Sequence, residues 1–286
     1  MHGFKIRSLR VRNMKLSWLN LEDKVAVVTG GGSGIGRACC LELARNGARV
    51  CVADIMQENG EAVLKEIESI GGMHSFVKTD VTSLESVIAM ASAANEKLGG
   101  LDILVNNAGV NIPALLVDPA GERELTEQIW DRTASINQKG AFLCAQAAIR
   151  CMIQTGTQGV VINMASESGL EGSAGQSIYA ATKAALYSLT RSWAKEVGTH
   201  GIRVVGLAPG ILEVTGLRTE AYEEALAYTR GITAEALREN YGKSGIPLGR
   251  PGTLQEVANA VCFLASERAS YAHGTILNLS GGKSRA

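Results

Sequence analysis

The segment KVAVVTGGGSGIGRA, residues 24–38, carries the strongest fold signal in this sequence. An apolar run, Val25 to Val28, leads into a glycine-rich turn, and residues Ile35 to Asn46 have the pattern of a helix. Phosphate-binding glycine loops need this order of strand, turn and helix, because backbone amides at the start of the helix face the anion. The segment therefore predicts a dinucleotide-binding unit.

Three glycines of this loop have separate expected uses. Gly30 allows a turn that a residue with a side chain would adopt only at a cost. Gly34 lets backbone amides approach a pyrophosphate, and Gly36 lets the helix pack closely on the strand. We expect Ser33 and Ile35 to line the same loop.

Outward from this segment, short apolar runs rich in valine and isoleucine alternate with amphipathic helical stretches. The predicted strands are Lys24 to Thr29, Arg49 to Ala53, His74 to Lys78, Asp102 to Asn106, Gly159 to Met164, Ile202 to Ala208 and Thr275 to Leu279. The predicted helices lie near 34–46, 57–70, 83–97, 125–151, 177–197 and 253–265. This alternation predicts an α/β fold, a doubly wound seven-stranded parallel sheet with helices on both faces, in a single domain.

One segment departs from the alternation. Residues Gly216 to Gly245 follow the sixth strand and have the pattern of two short helices, Thr219 to Thr229 and Thr233 to Lys243. An insert at the carboxyl end of such a strand overhangs the ligand crevice of the sheet. We therefore predict a small helical substrate lid over about 211–250.

Composition limits the class of protein. Lysine plus arginine equal aspartate plus glutamate at 28 each, so nothing draws the whole chain to nucleic acid or to an anionic membrane. No apolar run approaches the ~20 residues that span a bilayer. The six cysteines fall in apolar patterns without Cys-x-x-Cys, and the four histidines are scattered. These patterns favour buried reduced thiols, a cytoplasmic location and no metal site.

The first residues are basic. Lys5, Arg7, Arg10, Arg12 and Lys15 occur with no acidic residue among them. That composition fits an organelle presequence, but a disordered extension or an upstream start, with Met14 as the natural first residue, is the simpler interpretation. We divide the chain into a basic N-terminal extension, 1–20, and a dinucleotide-binding domain, 21–286.

Asp54 indicates which dinucleotide binds. It stands at the end of the second predicted strand, eighteen residues after Gly36, where a carboxylate can accept both hydroxyls of the adenosine ribose. The same charge would repel a 2′-phosphate, which favours NAD over NADP. The alternative is that Asp54 only caps the following helix.

A second informative patch is Tyr179-Ala180-Ala181-Thr182-Lys183. On a helix, Tyr179 and Lys183 lie on one face, one turn apart. A free tyrosine titrates near ~10 and is a poor base at neutral pH, but a nearby cation favours the phenolate. The pair therefore predicts proton transfer, although each residue alone could be a packed phenol and a solvated charge.

Several motifs together resemble the short-chain dehydrogenase/reductase family over residues 21–282. They are Thr-Gly-x-x-x-Gly-x-Gly from Thr29, Asn106-Asn107-Ala108-Gly109, Ser166 thirteen residues before Tyr179, Tyr179-x-x-x-Lys183, and Pro209-Gly210. The resemblance implies a Rossmann fold, a nicotinamide cofactor and a homotetramer formed through the helices at 125–151 and 177–197. Ala180, Ala181, Ala184, Ala185 and Leu186 support that assembly modestly, although the same residues would also pack on the chain's own sheet.

The resemblance also implies roles for individual residues. Tyr179 acts as general acid and base, Ser166 orients the substrate oxygen, Lys183 holds the ribose and lowers the tyrosine pKa, and Asn137 orders a proton-relay water. Asp80 contacts the adenine. The expected cofactor-binding residues are Gly30, Ser33, Gly34, Ile35, Gly36, Asp54, Asp80, Val81, Asn107, Ala108, Gly109, Tyr179, Lys183, Pro209, Gly210 and Ile211.

A closer likeness is to one branch of this family, the sorbitol-6-phosphate 2-dehydrogenases of bacterial sorbose use. It rests on residues 166–172, 201–206, 209–219 and 222–227, and on Gly281-Gly282-Lys283. It implies interconversion of sorbitol 6-phosphate and fructose 6-phosphate with NAD. The alternatives are an unphosphorylated polyol or other secondary-alcohol dehydrogenase, a 3-oxoacyl-thioester reductase, and a dinucleotide-sensing regulator without catalysis.

A sugar phosphate brings about two negative charges, which need arginine or lysine donors in the crevice. Candidates are Arg218, Arg230, Arg238 and Lys243 in the predicted lid, and Lys139 beside Asn137. Charges on short amphipathic helices usually face water, so each could also be a solvated residue. Arg218, nearest the sixth strand, is the first choice for the phosphate. The expected substrate residues are Ser166, Ser168, Glu171, Tyr179 and Arg218.

Overall fold

The computed structural model describes residues 18–214, 218–243 and 245–284, without the side chains of residues 240–243. The predicted basic extension, 1–20, lies outside these residues except for its last three, of which Trp18 accepts a hydrogen bond from Arg268 through its carbonyl oxygen at 2.8 Å. In the described part of the chain, seven strands form one sheet. They are β1 (Val25–Thr29), β2 (Arg49–Asp54), β3 (Ser75–Lys78), β4 (Ile103–Asn106), β5 (Val160–Met164), β6 (Arg203–Pro209) and β7 (Ile276–Leu279).

All strand pairs are parallel, in the order β3-β2-β1-β4-β5-β6-β7. In the central pairings, Val27 lies opposite Cys51 of β2 on one side and opposite Leu104 of β4 on the other. From β1 the chain first winds outward to β3 and then returns to β4 on the opposite side. This reversal opens a crevice at the carboxyl ends of β1 and β4. The predicted doubly wound, seven-stranded parallel sheet is confirmed.

Helices cover both faces of the sheet. Those in the described residues are α1 (Gly34–Arg45), α2 (Gln57–Glu68), α3 (Leu84–Leu98), α4 (Glu127–Ala134), α5 (Ala141–Thr155), α6 (Ser168–Glu171), α7 (Ser177–Val197), α8 (Glu220–Thr229), α9 (Ala234–Lys243) and α10 (Leu254–Ala265). Leu43 of α1 and Val257 of α10 belong to the core on one face. Met90 of α3 and Met152 of α5 belong to the core on the other. The strands read as continuous apolar runs because both faces are covered.

The helix predicted at 125–151 is wrong in one respect. The chain forms α4, then a π-helical segment, Ser135–Gly140, and then α5. A π segment widens a helix by one residue and displaces the side chains on that turn, and such segments are frequent at functional sites. Asn137 lies in it. The four-residue helix α6, directly after Ser166, was also not predicted, because it is too short to show a periodic pattern.

The predicted lid contains two helices, α8 and α9, as expected. Residues 215–217 and 244 of this segment lie outside the described residues. Tyr228 of α8 donates its O–H to Asp118 at 2.9 Å. Tyr222 accepts a hydrogen bond from the Gln176 amide at 2.8 Å. Two phenols on one helix therefore attach the lid to two different loops of the body.

All six cysteines are free, and five of them are buried, with Cys151 intermediate. Burial raises the pKa of Cys39 and of Cys144 to about 12. Among the described residues, no helix is both long and apolar enough to cross a membrane, and no group of acidic, histidine and cysteine side chains could hold a metal ion.

Candidate active site

A cleft of about 1140 Å³ opens at the carboxyl ends of the strands. It collects side chains from both patches that the sequence singled out, although they are far apart in the chain. The predicted residues that line it include Gly30, Ser33, Gly34, Ile35, Asp54, Asp80, Val81, Asn107, Ala108, Gly109, Ser166, Ser168, Glu171, Tyr179, Lys183, Pro209, Gly210, Ile211 and Arg218. Two predicted site residues, Gly36 and Asn137, do not line the cleft themselves and lie behind the residues that do.

The glycine loop joins β1 to α1 at one end of the cleft. Gly30 has a φ of +63°, a conformation that favours glycine. A Cβ atom on Gly36 would lie 2.0 Å from the Gly30 carbonyl oxygen, so the loop folds back against the helix too closely for any side chain there. Ser33 is the N-cap residue of α1, and its hydroxyl makes no capping bond to the described residues of that helix. The first amides of α1 therefore face the cleft and suit a phosphate group.

Asn107 fixes this loop to the neighbouring strand. Its side-chain amide donates to the carbonyl oxygens of Thr29 at 2.9 Å and of Gly30 at 3.2 Å. In return, the Thr29 hydroxyl accepts the backbone N–H groups of Asn107 at 3.0 Å and of Ala108 at 3.1 Å. The ends of β1 and β4 are thus held together, and Gly109 continues along the floor of the cleft.

Asp54 ends β2 at the rim of the cleft. Its Oδ2 accepts the Gly32 N–H at 2.8 Å, and its Oδ1 accepts the Met56 N–H at 2.9 Å. Met56 is the N-cap residue of α2, so Asp54 does brace the start of that helix, as the alternative interpretation expected. A carboxylate offers about four acceptor positions, of which these bonds occupy two. The same side chain can therefore brace the turn and still accept ribose hydroxyls.

Asp80 and Val81 follow β3 on the same side of the cleft. Asp80 Oδ1 accepts the backbone N–H of Thr82 at 2.9 Å and its hydroxyl at 2.7 Å. Val81 is buried against the π segment, where a Cβ atom on Gly140 would lie 2.8 Å from Val81 Cγ2. The two residues thus form one wall of the cleft, with Val81 supplying the apolar contact.

Tyr179 and Lys183 lie one turn apart on α7, as the spacing predicted. The Lys183 side chain is buried, donates to the Met164 carbonyl oxygen at 2.6 Å, and has its Nζ 5.7 Å from the centre of the Tyr179 ring. Burial lowers the pKa of Lys183 to about 8, because an ammonium ion is poorly solvated there. This group can therefore take up and release a proton close to neutral pH.

Burial raises the pKa of Tyr179 above its ordinary value, and a hydrogen bond with Ser166 acts in the opposite direction. In the chain alone, desolvation of the phenolate thus outweighs the effect expected from the Lys183 charge. The Ser166 hydroxyl also accepts from Ser168, from its Oγ at 3.0 Å and its backbone N–H at 3.3 Å. Ser168 therefore acts on Ser166, and this contact fixes where the Ser166 hydroxyl points.

Asn137 lies beside this pair but faces away from the phenol. Its Oδ1 accepts the Val110 N–H at 2.8 Å, and its Nδ2 donates to the Val110 carbonyl oxygen at 2.8 Å and to Thr182 Oγ1 at 3.2 Å. A Cβ atom on Gly109 would lie 3.3 Å from Asn137 Oδ1 and 3.7 Å from Lys183 Nζ. The side chain thus secures the loop after β4 against α7, and its part in ordering a water stays a prediction.

The end of β6 forms the opposite wall. Gly210 donates its N–H to the Leu279 carbonyl oxygen at 2.9 Å, and Ile211 accepts the Gly252 N–H at 3.0 Å through its carbonyl oxygen. A Cβ atom on Gly210 would lie 2.8 Å from Ser280 Cα, so a side chain there would collide with β7. This packing holds the turn Pro209-Gly210 flat against the cleft.

Arg218 enters the cleft from the lid side. Its Nη2 lies 2.7 Å from Glu223 Oε1, and Arg238 Nε lies 2.6 Å from Glu223 Oε2. Hydrogen bonds from Arg238 and Arg218 lower the pKa of Glu223, which is 6% exposed. Two guanidinium groups thus share one carboxylate, and Glu223 in turn raises the pKa of Arg238. Glu235 and Glu220 of the lid also lie close enough to Arg238 to raise that pKa. Arg230 and Lys139 also line the cleft, while nothing is described of the Lys243 side chain.

The structure adds a pair that sequence reasoning did not assign. Lys283 Nζ lies 2.8 Å from Glu167 Oε1, and both residues line the cleft. Glu167 follows Ser166 directly, and Lys283 follows β7. In the sequence the two residues are 116 positions apart. The one signal for them was that each belongs to a stretch on which the likeness to the sorbitol-6-phosphate 2-dehydrogenases rests.

Comparison with known proteins identifies the family of the chain. The model of the short chain dehydrogenase family matches residues 24–226. A sorbitol-6-phosphate 2-dehydrogenase of Klebsiella pneumoniae is 54% identical over 272 residues, 94% of this chain and 99% of that protein. A 3-oxoacyl-(acyl-carrier-protein) reductase of Thermotoga maritima is 36% identical over 92% of this chain and 99% of its own length.

The fold of the chain is also that of solved relatives. The crystal structure of levodione reductase superposes with a TM-score of 0.81 at 33% identity, covering 91% of this chain and 97% of that one. The family match takes in the glycine loop, Ser166, Tyr179 and Lys183. The chain therefore belongs to the short-chain dehydrogenases, oxidoreductases that act on CH–OH groups with a nicotinamide cofactor.

Proposed function

We propose that this protein is an NAD-dependent polyol-phosphate dehydrogenase that interconverts sorbitol 6-phosphate and fructose 6-phosphate. The observation that carries the choice of substrate is the similarity to the Klebsiella enzyme, which extends over nearly the whole of both chains. The geometry supports it, since one cleft contains a proton-transfer pair, a carboxylate at the end of β2 and the lid residue Arg218.

The cleft fits a dinucleotide. The open amides at the start of α1 would hold the pyrophosphate, and Asp54 would accept the ribose hydroxyls. Asp80 and Val81 would lie at the adenine, and the turn Pro209-Gly210 would contact the nicotinamide. When bound, the cofactor accepts a hydride from the alcohol carbon or returns it to the ketone. The Asp54 charge is the reason that NAD is preferred to NADP.

The proton is handled by the protein's own side chains. In the reductive direction the Tyr179 phenol donates its proton to the substrate oxygen. In the oxidative direction Tyr179 must first be a phenolate, which the positive charge of an oxidised nicotinamide would favour, and it then accepts the hydroxyl proton. Ser166 donates a hydrogen bond to the same substrate oxygen, because Ser168 already bonds to its lone pairs. Lys183 lies beside Tyr179, with its Nζ 5.7 Å from the centre of the phenol ring, and would hold the cofactor ribose.

The phosphate group of the substrate would bind at Arg218. Arg218 lines the cleft, and Arg238 pairs with the same Glu223 carboxylate, so Glu223 would keep a cation if Arg218 turned to the phosphate. Closure of the lid over the substrate would bring Arg218 to the far end of the molecule.

The direct test is oxidation of NADH by the purified protein with fructose 6-phosphate, followed by absorbance. We expect turnover with NADH to exceed turnover with NADPH. Turnover of unphosphorylated ketoses or other ketones, with none of fructose 6-phosphate, would remove the phosphate from the proposal. Reduction of a 3-oxoacyl thioester with NADPH would favour the reductase alternative, and NAD binding without any turnover would favour a regulator.

We also propose a homotetramer and a cytoplasmic location. Phe142 is 40% exposed and Ile153 is 42% exposed on α5, and with Trp193 of α7 they line a second, apolar cavity. Such a surface suits contact with another copy. A molar mass from light scattering tests the assembly. Buried free thiols such as Cys144 fit a reducing compartment.

A further inference from the structure

The pair Glu167–Lys283 lies in the wall of the cleft beside the turn Pro209-Gly210, where a Cβ atom on Gly210 would lie 2.9 Å from Glu167 Oε2. Glu167 follows Ser166, and its backbone N–H donates to the Pro209 carbonyl oxygen at 3.0 Å, so it is fixed between β5 and β6. Lys283 reaches it from the segment after β7, where a Cβ atom on Gly282 would lie 3.1 Å from Pro247. The ammonium group is therefore bonded to the residue that follows Ser166 in the chain, and Lys283 and Ser166 line the same cleft.

The bonds of this pair are incomplete. Glu167 is only 9% exposed, and its Oε1 accepts from Lys283 at 2.8 Å. Its Oε2 is buried and accepts from no donor in the described part of the chain. Lys283 has three N–H donors, of which the described contacts use one. A buried carboxylate oxygen that lacks a hydrogen-bond donor lowers the free energy of unfolding, so this arrangement does not stabilise the fold.

The charge of the pair indicates what it binds. Glu167 and Lys283 together are neutral, whereas the Glu223 carboxylate of the lid is bonded by two guanidinium groups, those of Arg218 and Arg238. A phosphate beside Glu167 would meet a like charge that has a single described cation, so Arg218 is the better phosphate site. A hydroxyl group, which both donates and accepts hydrogen bonds and carries no charge, matches a neutral pair with spare donors.

We propose that Lys283, held in place by Glu167, binds a hydroxyl group on the substrate carbon next to the reacting one. The pair thereby selects polyhydroxylated substrates over plain secondary alcohols and ketones. Lys283 contacts the substrate, and Glu167 acts as a positioning residue through it. This inference rests on the proposed function, since it names the hydroxyl that the enzyme recognises.

The test compares fructose 6-phosphate with its 1-deoxy and 3-deoxy forms, each reduced with NADH. A hydrogen bond to a charged group contributes about 1.5–3 kcal/mol, so wild type should prefer the parent over one deoxy form by about 10- to 100-fold in kcat/KM. Lys283→Met should abolish that preference by raising KM for the parent, in a variant whose thermal melting shows that it is folded. Lys283→Arg should keep part of the preference, and Glu167→Gln should reduce it.

Lys65→Met is the matched control, because Lys65 lies exposed on α2 outside the cleft. A preference for the parent that survives in Lys283→Met overturns the proposal. The proposal is also overturned if Lys283→Met loses kcat/KM for fructose 6-phosphate but not for unphosphorylated fructose, since Lys283 would then bind the phosphate. Weakened NADH binding in a folded Lys283→Met variant would also overturn it. If wild type reduces none of the ketoses, the proposed function itself has failed, and this is seen before any variant is measured.

Discussion

Replacement of Asp54 by asparagine should change the choice between NADH and NADPH. The carboxylate is held by the N–H groups of Gly32 at 2.8 Å and Met56 at 2.9 Å, so it cannot rotate away from a 2′-phosphate. Two unit charges about 4 Å apart, at an effective dielectric constant of about 20, repel by about 4 kcal/mol. Each 1.4 kcal/mol is about tenfold in affinity, so wild type should bind NADPH about a thousandfold more weakly than NADH.

Asp54→Asn removes the charge and keeps one acceptor for the two N–H groups. We expect NADPH affinity to rise by two to three orders of magnitude, as that repulsion is lost. NADH affinity should fall by about tenfold, as a charge-assisted bond to the ribose weakens. One of the two braced N–H groups loses its partner, so the free energy of unfolding should fall by about 1–3 kcal/mol.

The dissociation constants of NADH and NADPH are measured from the fluorescence of each cofactor. Thermal melting first shows that each protein is folded. Asp23→Asn is the matched control, because Asp23 precedes β1 at the opposite edge of the sheet and pairs with Arg49 at 2.7 Å. It should leave both affinities unchanged. Equal binding of NADH and NADPH by wild type would refute the reasoning, as would an Asp54→Asn variant that keeps the wild-type ratio.

Three further substitutions test the site. Tyr179→Phe should lower kcat by at least about 100-fold, with the dissociation constant of NADH unchanged, as fluorescence titration and turnover can show together. Gly36→Ala places a Cβ atom 2.0 Å from the Gly30 carbonyl oxygen, so it should displace the loop and weaken NADH binding by more than about tenfold; binding at the wild-type level would contradict the close packing. For Lys183→Met, urea unfolding at several pH values is the measurement. The folded-state pKa of Lys183 is about 8 and its ordinary value is 10.5, so wild type should gain up to about 3 kcal/mol relative to the variant as the pH rises through that window; a difference that does not change with pH would contradict the buried ammonium.

The sheet was predictable because each central strand is buried on both faces and so reads as an unbroken apolar run, as in Val25–Thr29. The glycine loop was predictable for a related reason, since both its turn and its close packing exclude side chains. Strand and helix ends such as those of α7 agree because polar residues and glycine mark them in the sequence. Such local signals suffice wherever one residue type is the only one that fits.

The remainder depended on contacts that no local pattern records. The π segment at Asn137 changes the register by one residue within a continuous helical pattern, so periodicity cannot reveal it. Glu167 and Lys283 lie 116 residues apart and meet only because β5, β6 and β7 are neighbours. The raised pKa of Tyr179 follows from burial, which outweighs the cation that the spacing placed beside it.

The two phenols of α8 give the lid a property that bears on how fast product leaves. Tyr228 is bonded to Asp118, whose pKa is held below its usual value first by the Arg123 N–H, so the bond persists as the medium becomes mildly acidic. Tyr222 is bonded to Gln176, which precedes the helix of the proton-transfer pair. Swinging α8 outward would break the bond of Tyr228 to Asp118 and those of Tyr222 to Gln176 and Asn111. Opening of the lid therefore has a cost of its own, separate from hydride transfer, that product departure would have to meet.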